Sequence, residues 1–100
     1  MNVEKIKEME EILDRHQDLI NQLDQLLFVY EQGQEDYDKL RDYYFSQEYL
    51  DDFEEIDKNG IPAGLKCGVL SEDGIYNLIG ENFHLAISML ELATKILKNH

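Results

Sequence analysis

The sequence is poor in the residues that staple or wire a small protein. It holds one cysteine, Cys67, in 100 residues. That excludes a disulfide framework and a thiolate zinc site, both of which need at least a pair. Basic side chains are scarce: nine Lys and Arg stand against 22 Asp and Glu, for a net charge of −13. Phosphate backbones are bound mainly through Lys and Arg, so direct nucleic-acid binding is not expected. The longest stretch free of charge, Asn82 to Leu90, is nine residues. A membrane span needs about 20 apolar residues, so no membrane association is expected. Acids in the first eight residues, Glu4 and Glu8, stand where a signal peptide would be apolar. The expectation is a cytoplasmic protein of one domain, residues 1–100, with a single modest core.

Charge is concentrated in the middle. Residues 31–57 carry eleven acids and two bases, for −9, whereas residues 58–100 carry four of each. Four of the six tyrosines (Tyr37, Tyr43, Tyr44 and Tyr49) fall in the same acidic stretch. A solvated face that keeps the chain soluble is the ordinary reading of such a run.

Periodicity gives the fold class. Ile6, Met9, Leu13, His16, Ile20, Leu23, Leu27 and Tyr30 occur at alternating spacings of three and four. That pattern is the apolar seam of a long helix sustained over more than three heptads. Ile12, Leu19 and Leu26 add a row beside it, a width that suits a helix packed against two neighbours. Gly33 is the expected stop, since glycine takes the left-handed conformation of a helix C-terminus at little cost. Tyr37, Leu40 and Tyr44 begin a second apolar face, and Ser46 is placed to cap a short helix that ends before Asn59-Gly60. The acidic, tyrosine-rich segment is therefore bounded at 35–57. The only proline and three of six glycines fall in 58–71, which reads as a loop, yet Ile61, Leu65, Val69 and Leu70 should hold it against the helices. Ser71 is the expected cap of a last helix, in which Tyr76, Ile79, Phe83, Ala86, Leu90, Ala93 and Leu97 repeat at three and four. The expected fold is all-α: an antiparallel helical bundle of two long helices, about 3–32 and 72–98, with one or two short helices between them.

No constellation in the chain meets the requirements of catalysis. Glu81 and His84 have the i,i+3 spacing used in di-iron bundles, but only one such pair exists. Glu55, Asp57, Asn59 and Gly60 imitate the opening of a calcium loop, but position twelve would be Lys66 where a bidentate Glu is needed. His16 reads as a partly covered seam histidine, and Cys67 as a small apolar side chain rather than a reactive thiol. The expectation is no enzyme, no metal and no cofactor. The patch formed by Asp42, Tyr43, Tyr44, Glu48, Tyr49, Asp51, Asp52, Glu54 and Glu55 is the candidate interaction surface. Clustered aromatics with an acidic rim suit contact with a basic protein. The competing reading makes the tyrosines bundle core with wetted hydroxyls.

The run Tyr43-Tyr-Phe-Ser-Gln-Glu-Tyr-Leu-Asp-Asp-Phe-Glu54, with Pro62 and Lys66-Cys-Gly-Val-Leu-Ser-Glu-Asp73 beyond it, resembles a small bacterial family known as domain of unknown function 4298. The resemblance extends over nearly the whole chain. It implies a cytoplasmic helical protein and no particular chemistry. Two functional readings remain. The first is a non-catalytic interaction module that binds a protein partner through its acidic middle, with a homodimer as a further expectation from its two wide apolar faces. The alternative is an acidic inhibitor or immunity-type protein that neutralises a basic nuclease or DNA-binding protein.

Overall fold

A computed structural model describes residues 1–100, and the chain is all-α, with no strand. Two long helices, α1 (Val3–Tyr44) and α3 (Gly74–Lys98), enclose in sequence a short one, α2 (Gln47–Asn59). A single 3₁₀ turn, Gly68–Leu70, precedes α3. None of the helices is long and apolar enough to cross a membrane.

The first helix does not stop at Gly33 as expected; it runs on to Tyr44. Gly33 has no positive φ, so it sits in the helix as an ordinary residue. A glycine inside a helix costs only about 1 kcal/mol, and its neighbours Glu31, Gln32, Gln34 and Glu35 are good helix formers. Tyr30, Tyr37 and Tyr44 continue the seam at spacings of seven, so the register passes through the glycine unbroken. The chain turns only at Phe45-Ser46, because a side chain there offers a cap. Ser46 is extended (φ −96°, ψ 162°), and its Oγ accepts from the Tyr49 amide at 3.2 Å while donating to the Tyr43 carbonyl at 2.6 Å. The second helix takes in Asn59, one residue past the expected end, and Gly60 closes it: at φ 78° it donates its amide to the Ile56 carbonyl at 2.9 Å.

The start of α3 also differs from expectation. Residues 71–73 form a bend, and the first helical residue is Gly74 instead of Glu72. Ser71 still satisfies a helix amide, since its Oγ accepts from Gly74 N at 3.1 Å, while it donates to the Gly68 carbonyl at 2.7 Å. Glu72 and Asp73 thus lie just ahead of the helix, where their charge still favours its positive end.

The chain divides into two compact units, Met1–Tyr37 and Asp38–His100. The first is helical from Val3 onward and buries no residue. The second holds the last turns of α1 with α2, the 3₁₀ turn and α3, and it contains the two buried side chains, Tyr49 (8% exposed) and Ile75 (3%). The glycine-rich loop is held at its end, where the 3₁₀ turn touches both α2 and α3, but of the apolar residues expected to hold it only Leu70 is half-buried, and Ile61, Leu65 and Val69 stay exposed. Leu40, Val69, Ile75 and Leu78 share the lining of a cavity of about 440 Å³ there.

Candidate functional site

The expected patch lies at the turn from α1 to α2, and the structure splits it into an aromatic interior and an acidic exterior. Tyr49, in the first turn of α2, is the centre of the interior. The Tyr44 ring lies 5.0 Å from it at 58°, the Tyr43 ring meets it edge-on at 5.6 Å, and Phe53 stands at 6.3 Å. Edge-on and tilted pairs of this kind add about 0.5–1.5 kcal/mol each beyond the area they bury. Tyr43 and Tyr44 are half-buried. The tyrosines are therefore largely core, and the most exposed aromatic at this turn is Phe45, at 73%, with Phe53 less so at 40%. Phe45 falls off the three-and-four row, so periodicity does not mark it; its place immediately before the capping Ser46 is the signal that it leaves the helix face.

Of the six acids in the patch, Asp42, Glu48, Asp51, Glu54 and Glu55 are exposed and Asp52 is half-buried. Asp52 belongs to the interior, because its Oδ2 accepts from the Tyr43 hydroxyl at 2.6 Å. Burial, that hydrogen bond and the charges of Asp52 and Glu48 push the Tyr43 phenol up to about 12. Burial, with a smaller contribution from Tyr44, raises Tyr49 as well. The exposed acids have only local partners. Asp42 meets Arg41 at 3.4 Å, Glu54 meets Lys58 at 2.9 Å, Asp51 accepts from Gln47 and Glu55 from Asn59, each at 2.9 Å. Exposed pairs of this kind contribute at most about 1 kcal/mol each, so they yield readily to a better-placed cation.

Next to this rim, Tyr44 and Phe45 share a broad open groove of about 960 Å³ with Tyr76, Ile79, His84 and Leu85 of α3. Glu81 and His84, the pair singled out by spacing, both line it. Nowhere in the chain do three His, Cys, Asp or Glu side chains converge as a cation site would require. Glu55, Asp57 and Asn59, which imitate a calcium loop, are helical residues of α2. His16 is exposed on α1 instead of partly covered, and Cys67 is half-buried with a free thiol.

A family model, Domain of unknown function (DUF4298), matches residues 6–92. No curated protein and no solved structure matches the chain.

Proposed function

Given that the chain belongs to the DUF4298 family, whose description carries no activity, we propose that it is a non-catalytic cytoplasmic interaction module that binds a basic protein partner at the turn between α1 and α2. The observation that supports this most directly is the pairing of an open apolar groove, with Phe45 exposed at its edge, and five exposed carboxylates on neighbouring residues. Groove and rim have separate roles. Desolvating Phe45, Tyr76 and Leu85 supplies affinity, whereas Asp42, Glu48, Asp51, Glu54 and Glu55 steer a cationic partner and set its orientation. Tyr49 and the Tyr43–Asp52 pair join the end of α1 to α2 behind the rim.

Affinity capture from the native host, with kinetic binding measurements on whatever is captured, tests this reading. Asp51→Asn with Glu54→Gln should slow association and flatten its salt dependence, while Phe45→Ala should speed dissociation. These two acids are chosen because Asp52 has a structural bond to lose. A captured partner whose binding ignores both changes and ignores salt would remove the proposal.

The charge of −9 across residues 31–57 favours a second reading, the acidic inhibitor. In it the rim takes the place of a nucleic-acid backbone on a basic nuclease or DNA-binding protein. Competition separates the two: duplex DNA should displace the chain from its partner under the second reading and leave the complex intact under the first.

A further inference from the structure

We propose that a second copy of this chain covers the apolar seam of α1 between Ile6 and Leu27, making the molecule a homodimer through a surface separate from the acidic turn. All the apolar members of the seam are exposed, Ile6, Met9, Leu13, Ile20, Leu23 and Leu27 among them, and so is the flanking row of Ile12, Leu19 and Leu26. Only from Tyr30 onward do half-buried positions recur on this helix, at Tyr30, Gln34, Tyr37, Leu40, Arg41, Tyr43 and Tyr44. The uncovered part is therefore the part whose three-and-four repeat is most regular.

Three observations select another copy as the occupant. The repeat itself is the first. A seven-residue period held from residue 6 to 30 is the spacing that matches a second helix winding alongside, because only a helix presents holes at that same period. Width is the second. Three apolar rows need two neighbouring helices, and one chain offers α1 only a single other long helix; two chains bring four. Area is the third. A folded monomer of 11.8 kDa exposes about 5,900 Å² by size scaling. This chain exposes 8899 Å². Obligate dimers bury about 1,000–2,500 Å² on each side, so a second copy can remove much of this surplus of about 3,000 Å².

Charge makes the self-association distinguishable from capture of a basic protein. Each copy carries −13, so two copies repel at long range and added salt should strengthen the dimer or leave it unchanged. A basic partner at the acidic turn is weakened by the same salt.

The test is sedimentation of the intact protein from micromolar to near-millimolar concentration, at low and high salt, with hydrogen exchange measured at both ends of the range. The expected result is twice the chain mass, not weakened by salt, with concentration-dependent amide protection confined to residues 6–30. Leu23→Glu should weaken the dimer by about 100-fold or more, since a carboxylate would be desolvated in the seam, while Asp18→Asn, off the seam, should leave it intact. Far-ultraviolet helix content, to which the 42 residues of α1 contribute most, checks that the Leu23→Glu chain still folds; if it does not, the exchange pattern of the unaltered protein decides. A monomer at the highest concentration overturns the proposal, as does protection lying elsewhere or a folded Leu23→Glu chain that remains dimeric. A monomer that nevertheless binds a basic protein would overturn this inference alone.

Discussion

The hydroxyl of Tyr43, on the last turn of α1, donates a 2.6 Å hydrogen bond to Oδ2 of Asp52, in the second turn of α2. Nine residues separate them in sequence, and the bond closes the turn around Ser46 from the side. It also recruits one member of an acidic run as a structural group, which leaves its neighbours Asp51 and Glu54 free to face outward.

Alkaline titration should expose this bond. The folded Tyr43 phenol ionises at about 12, against an ordinary value of 10.0. Below pH 10 the phenol is protonated in folded and unfolded chains alike, so its stabilisation is fully present. Between pH 10 and about 12 the unfolded chain loses the proton first, and stability falls as pH rises. Tyr49, also raised, acts in the same direction. Phenolate absorbance should show a late-ionising tyrosine that Tyr43→Phe removes. The same change should cost about 1–2 kcal/mol at neutral pH, since Asp52 loses its partner.

Ser46→Ala should cost about 1 kcal/mol in thermal or urea unfolding, the usual loss for a helix N-cap. Both of its bonds disappear, the one accepted from the Tyr49 amide and the one donated to the Tyr43 carbonyl. Ser46→Asp should restore much of the loss, because an aspartate can accept from the same amide. A rescue no better than alanine would show that the cap is not what stabilises the turn.

Gly74→Ala should destabilise although it places a better helix former in a helix. A Cβ at residue 74 would stand 2.7 Å from the Gly68 carbonyl oxygen and 2.6 Å from Ser71 Oγ. The serine can rotate, but the carbonyl is backbone held by the 3₁₀ turn, so the junction must shift. A loss of about 1–3 kcal/mol is expected, as for other overpacked sites. Gly80→Ala in the same helix, with nothing within 4 Å of its added Cβ, should be neutral to stabilising.

Ile75→Ala should cost about 2–4 kcal/mol, near the top of the range for the molecule, because Ile75 is its most buried side chain. The cavity it already lines with Leu40, Val69 and Leu78 would enlarge, and collapse there is opposed by the pinned 3₁₀ turn. Leu97→Ala, at 74% exposure, should change monomer stability little. Urea midpoints of the two variants at one low protein concentration make the comparison.

Much of the fold was legible in the sequence. The three-and-four spacing from Ile6 to Tyr30 and from Tyr76 to Leu97 determined two long helices, since such a period has no place in a strand. Ser46 and Gly60 marked both ends of α2, because capping depends on residues within one turn of each other. Five acids of the rim were legible too, as charged side chains have few places to go but outward, but Asp52 turned inward to Tyr43. Three matters rested on the tertiary structure. Whether Gly33 ends a helix depended on the packing beyond it, where Tyr43 and Tyr44 meet Tyr49 and Leu40 shares a cavity lining with Ile75, not on glycine's own preference. Which aromatics are buried depended on α2 folding back so that Tyr49 meets Tyr43 and Tyr44 while Phe45 is left outside. The need for glycine at 74 arose from the approach of Gly68, six residues away, and an approach across space has no periodic signature. Local and repeating interactions are written along the chain; contacts between segments that meet only after turning are decided when the chain packs.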